Sequence, residues 1–195
     1  MAKEEQRADL TWKKKKKGDK KAFAAIYRDH VRNLLNYGYK VTSDRRVIED
    51  SIQDLFFELW KNRAGLSDTT SVRFYLFRAL RYKIMRNLKS SAASVLQQLE
   101  EVPEAFDLSH ENYLIGLEVQ SLQMAHLKDL VTKLPRRQQE AINLRYYHNF
   151  SNEEIARIMG VNYQSACKFL YSALKTLKAN LHVSITSYLF FMIFF

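Results

Sequence analysis

The stretch Ser151–Lys178, SNEEIARIMGVNYQSACKFLYSALKTLK, constrains the fold more than any other part of this chain. Ser151 and Glu154 are spaced as a capping box, in which the hydroxyl takes an orphan amide and the carboxylate reaches back to the cap. Ile155, Ala156 and Met159 then fall on one face of a short helix. Gly160 stands where that helix must stop and the chain must turn, a place suited to positive φ. Asn162 is placed to cap a second helix, along which Ala166, Phe169, Leu170, Ala173, Leu174 and Leu177 recur at helical spacing. The small Ala156 lets the two helices approach, while Ile155, Met159, Val161, Ala166 and Phe169 fill the wedge between them. A plain helical hairpin would share the periodicity alone. Box, alanine, glycine and wedge together point to a helix-turn-helix whose second helix enters a DNA major groove.

The rest of the chain supports an all-α class. Only two prolines and five glycines interrupt 195 residues, and β-branched alternation is almost absent. The net charge of +10 is segregated: residues 1–90 carry 22 basic and 11 acidic side chains, residues 91–118 none and six, and residues 119–195 nine and four. Two basic blocks around an acidic one predict two helical domains that bind polyanions, joined by an acidic flexible linker. The expected layout is a disordered basic arm at 1–18, an N-terminal helical domain at 19–90, a linker at 91–111, a helix-turn-helix domain at 112–182 and an apolar tail at 183–195. Within the arm, Lys13–Lys17 reads as a solvated run or as a non-specific phosphate attractor. The tail is too short for a span of about 20 residues, and its expected role is packing on the second domain or on a partner. The charged start has no apolar signal core, and the single Cys167 suits a reducing cytoplasm. At Cys167 a small residue on a packed helix is a better reading than a redox sensor.

Three helices are expected in the N-terminal domain. Phe23, Ile26, Tyr27, Leu34, Leu35 and Tyr37 line the first, which is predicted to be interrupted near Gly38. Thr42, Ser43 and Asp44 offer caps for the second, residues 47–62, with Ile48, Ile52, Leu55, Phe56 and Leu59 as its buried stripe. Its other face holds Glu49, Asp50, Gln53, Asp54 and Glu58, where aligned like charges repel unless a basic partner offsets them. That face reads as a protein-docking site or as a solvated acidic surface. The third helix, Ser71–Ser90, places Phe74, Phe77, Leu80, Ile84 and Leu88 inward. It carries Arg73, Arg78, Arg81, Lys83, Arg86 and Lys89 with Tyr75 and Tyr82 between them, a composition that suits single-stranded or melted nucleic acid. Further on, helix is expected to resume near Asn112, and Pro135 to begin a helix running through His148. There Ala141, Ile142, Leu144 and Tyr146 would back the helix-turn-helix. An enzyme is not indicated. His30, His110, His126, His148 and His182 are scattered, and neither metal-ligand spacing nor a glycine-rich phosphate loop occurs, so no metal and no cofactor are expected.

Two segments, EDSIQDLFFELW at 49–60 and LPRRQQEAINLRYYHNFSNEEIARIMGV at 134–161, occur in an order and spacing that resemble the extracytoplasmic-function sigma factors of bacterial RNA polymerase. The resemblance covers roughly Asp19 to Leu181. It implies a non-catalytic, cytoplasmic initiation factor with no small-molecule substrate, whose partners are bacterial core RNA polymerase through its β and β′ subunits, promoter DNA and, in many relatives, an anti-sigma factor. It implies that Glu49, Asp50, Gln53, Asp54 and Glu58 dock on the β′ subunit of the polymerase. Arg78, Arg81, Tyr82, Lys83, Arg86 and Asn87 would then contact the −10 element. Asn162, Tyr163, Gln164, Ser165, Lys168 and Tyr171 would read the −35 element, where Gln and Asn suit adenine edges. The chain departs from the family pattern at Tyr82 (commonly Asn), at Ser172 (commonly Arg) and at Cys167 (often basic), so its −35 anchoring has two fewer cations. The competing assignment is a duplex-binding helix-turn-helix regulator with an N-terminal sensing or dimerisation domain.

Overall fold

Helix α1 (Lys20–Val41) starts at Asp19, whose carboxylate accepts from the amides of Lys21 and Ala22 at 2.8 and 3.1 Å. The computed structural model describes residues 12, 18–65, 69, 71–95 and 127–194, and these are helical wherever they are regular. Contrary to the sequence expectation, α1 runs straight through Gly38. The glycine answers a close approach instead: a Cβ there would lie 2.5 Å from Ile48 Cγ2 of the next helix. Helix α2 (Arg45–Lys61) is capped by Asp44, which accepts from the Val47 amide at 3.1 Å. Its stripe Ile48, Ile52, Leu55, Phe56 and Leu59 is buried as expected. Helix α3 (Val72–Val95) buries Val72, Leu76, Phe77, Leu80 and Ile84, with Phe74 and Leu88 partly covered.

Trp12, placed by the sequence in a disordered arm, is instead buried and meets Tyr75 edge-on at 5.4 Å between ring centroids. Lys13–Lys17, most of the acidic linker (96–111) and the helix expected from Asn112 lie outside the described residues.

In the C-terminal half, residues 127–132 are helical and Pro135 leads into α4 (Arg136–Ile142). The expected single helix through His148 instead widens into a π-helical turn, Asn143–Tyr147. One effect is that Tyr146, expected behind the motif, is 56% exposed, while Ala141, Ile142 and Leu144 are buried as foreseen. Helix α5 (Asn152–Met159) has the full capping box, with Ser151 N–H donating to Glu154 at 2.8 Å and Glu154 N–H to the Ser151 hydroxyl at 3.2 Å. Gly160 turns the chain at φ 62°, and α6 (Tyr163–Phe194) follows. The backbone of α6 continues as helix through most of the apolar tail, whose side chains lie outside the described set.

The two halves are packed on each other. Helix α1 meets α4, and α3 meets α5, so the buried apolar residues form one cluster.

Candidate nucleic-acid interface

Three surfaces expected to act are presented by α2, α3 and the helix-turn-helix. On α2, Asp50, Gln53, Asp54 and Glu58 are exposed. Asp50 and Asp54 form no ion pair among the described residues, whereas Glu49 is half-buried and joined to Arg45 at 2.7 Å. Between them stands Phe57, 66% exposed, a large apolar side chain in an otherwise polar face. Sequence reading passed over it because Phe56, its neighbour, took the core position; the i, i+3, i+4 relation of Phe57 to Asp54 and Gln53 was the available signal. Glu58 has a different occupation. It holds Lys83 Nζ of α3 at 2.7 Å, and that hydrogen bond lowers its carboxyl pKa below the usual range.

The basic helix α3 is therefore less open than its composition suggested. Lys83 is 4% exposed and spent on Glu58, and Arg81 is 7% exposed and spent on Glu140 of α4, its Nε donating at 2.6 Å. Neither faces solvent in this arrangement. Arg78, Tyr82 and Arg86 do, together with Lys89, in one row at helical spacing. Asn87 is half-buried and donates to Ser51 Oγ at 3.1 Å, which ties α3 to α2. Between those two helices lies a recess of about 130 Å³ walled by Tyr75, Tyr82, Arg86 and Glu58 over a floor of Leu55 and Leu59.

On the helix-turn-helix, Tyr163, Gln164, Lys168 and Tyr171 are exposed along the start of α6, where a groove-reading helix needs them. Asn162 is exposed too, but its side-chain oxygen accepts from the half-buried Ser165 amide at 2.7 Å, so these two residues build the cap of the helix. Cys167 is half-buried, its sulfur accepting from Asn152 at 3.4 Å.

Behind these surfaces His148 is wedged against Phe77 at 4.5 Å between ring centroids, with Phe150 5.3 Å from the same Phe77 ring. Burial, and then the Arg73 guanidinium, hold the His148 pKa at about 4. The unfolded imidazole titrates near 6.5, so its stabilising difference is complete above that pH and is lost as pH falls toward 4. From pH 6.5 to 4 the loss attributable to this group is of order 2 kcal/mol after allowance for screening. Urea midpoints of wild type and His148→Gln should show a shallower acid slope in the variant; parallel slopes would rule out this origin.

An acidic-apolar face, a basic aromatic helix beside it and a helix-turn-helix thus occur together in one chain. Comparison with known proteins identifies the class. The model of Sigma-70 region 2 matches residues 26–93 and that of Sigma-70 region 4 matches residues 125–177. The chain is 24% identical over 160 residues to the RNA polymerase sigma factor YlaC of Bacillus subtilis, covering 80% of this chain and 90% of that protein. It is 22% identical over 166 residues to the ECF RNA polymerase sigma factor SigL of Mycobacterium tuberculosis, covering 80% and 87%. Its fold is similar to that of the sigma factor RpoE of Bartonella quintana, solved with the anti-sigma factor NepR, at a TM-score of 0.64 and 21% identity over 84% of this chain and 98% of that one. The chain belongs to the sigma-70 family of transcription initiation factors, in its extracytoplasmic-function branch. The region 2 match occupies the N-terminal half, where the competing assignment required a sensor. Among the described residues, no helix is long and apolar enough to cross a membrane.

Proposed function

We propose that the outward face of α2 docks the chain on the β′ subunit of core RNA polymerase, and that α3 and the helix-turn-helix then select the promoter. The observation that carries this reading is the α2 face. Asp50, Gln53, Asp54 and Phe57 are all exposed, and the two aspartates are unpaired among the described residues. A basic partner with an apolar pocket supplies what both the charges and the phenyl ring lack.

In this reading Arg78 and Arg86 anchor the phosphates of the −10 element. Tyr82 and the recess beside it accept an unstacked base, since aromatic and guanidinium planes suit a splayed base. Gln164 and Lys168 read the −35 duplex in the major groove, with Tyr163 and Tyr171 at its walls. The protein then works in the cytoplasm by recognition alone, with no catalytic residue of its own. An anti-sigma factor is a further partner on this reading, since RpoE of similar fold was solved with one.

Titration of the full chain onto bacterial core polymerase tests the docking step. Saturable binding at one chain per core is the expected result. No binding by a folded chain would remove the reading.

A further inference from the structure

The C-terminal end of α1 and the turn leading into α4 flank a cavity of about 420 Å³. None of the residues assigned to the three surfaces above lines it. Its volume falls within the roughly 300–1,000 Å³ usual for small-ligand sites. Tyr39 and Lys40 form one wall, and Thr132, Leu134, Arg136 and Gln139 belong to the other. The second wall is braced from within. Gln139 Nε2 donates to the carbonyls of Thr132 and Leu134 at 2.8 and 2.7 Å, and Leu134 itself is buried.

The charge of this cavity has one sign. No carboxylate lines it, whereas two cations do. Lys40 is half-buried and forms no ion pair among the described residues. Burial, and then the like charge of Lys128, hold its ammonium pKa below the usual lysine range. Arg136 is exposed, and its one hydrogen bond among the described residues runs from Nη2 to Ser43 Oγ at 3.2 Å. The nearest acids in sequence are engaged elsewhere, Asp129 with Lys133 and Glu49 with Arg45, each at 2.7 Å. The unsatisfied carbonyls at the end of α1 favour one cation there. They do not account for Lys128 and Arg136 as well. A half-buried charge without a counterion costs stability, and a bound anion offsets that cost.

We propose that this cavity is a binding site for a small phosphorylated ligand of mononucleotide size, with its phosphate between Lys40 and Arg136 and its base or sugar against Tyr39. The free N–H groups of a guanidinium match two phosphate oxygens, and an ammonium adds a point charge beside them. A bare phosphate would leave most of the space empty, which is why a larger body is inferred. The tyrosine ring supplies a face on which such a body can stack.

The test is calorimetric titration of the full chain with ADP, inorganic phosphate and adenosine. ADP is expected to bind saturably at one per chain, phosphate more weakly, and adenosine not measurably. Lys40→Met with Arg136→Gln should weaken ADP binding at least about tenfold and leave affinity for a mixed-sequence DNA duplex unchanged. Neither side chain belongs to the buried core, so the double variant should fold. Lys40→Met alone keeps the apolar stem and removes the uncompensated charge, so it should raise the thermal midpoint of the ligand-free chain. Arg78→Gln with Arg86→Gln, on the face assigned to the −10 element, should leave ADP binding as it is. No ADP binding, equal binding of adenosine, or wild-type ADP affinity in the double variant would overturn the proposal. Loss of duplex affinity in place of ADP affinity would assign the two cations to the DNA backbone and overturn it too. A lowered midpoint in Lys40→Met would show the charge to be satisfied within the fold and would count against the site. Polymerase enters none of these measurements, so failure of the docking reading leaves them unaffected.

Discussion

Full-length protein carrying Asp50→Arg and Asp54→Arg is expected to bind core RNA polymerase at least about 100-fold more weakly than wild type, with its thermal midpoint nearly unchanged. Both carboxylates are exposed, and neither is tied to a described residue, so the fold does not depend on them. Their mutual repulsion at i, i+4 costs a few tenths of a kcal/mol, and the arginine pair repels by a similar amount. The difference is at the interface. Two attractions to a basic surface become two repulsions, and like charges juxtaposed across an interface cost several kcal/mol. Titrations at rising ionic strength check the origin, because screening weakens wild type more than the variant. Equal affinities would place the docking site elsewhere, and an equal loss of thermal stability would make the effect one of folding.

Phe77→Ala should cost about 3–5 kcal/mol of unfolding free energy. Its ring is fully buried where three segments meet, 5.0 Å from Tyr37 of α1, 4.5 Å from His148 and 5.3 Å from Phe150. The first of these belongs to the N-terminal half and the other two to the C-terminal half. The cavity therefore weakens the core of one half and the seam between both. Urea denaturation of the two proteins at neutral pH measures it. A loss below about 1 kcal/mol would mean that the site collapses to fill the space.

What could be read in the sequence was local. The capping box of Ser151 and Glu154 and the turn at Gly160 involve residues within one or two helical turns, and they appear in the structure where the spacing put them. The stripe Ile48 to Leu59 is equally local, since one helix face has only one periodicity to satisfy. What escaped depends on contacts distant along the chain. Arg81 and Lys83 looked like DNA-facing cations until Glu140 and Glu58, on other helices, took their charges. Gly38 looked like a break because glycine disfavours helix interiors, but the nearness of Ile48 requires the missing side chain. Asn162 illustrates a conflict of roles: the same side chain suits an adenine edge and a helix cap, and the cap is the role occupied in this structure. Trp12 was hidden by the lysines around it, although one large apolar ring in a charged arm is itself a sign of an anchor.

Transcription by core polymerase reconstituted with this protein, on chromosomal DNA of its own host, tests the central claim most directly. Mapped 5′ ends should include a new set absent with core alone, each preceded by a shared pair of −10 and −35 sequences. Gln164→Ala with Lys168→Ala should weaken that set selectively. A set of 5′ ends identical to that of core alone, from a protein shown to be folded, would contradict the assignment of promoter selection to this chain.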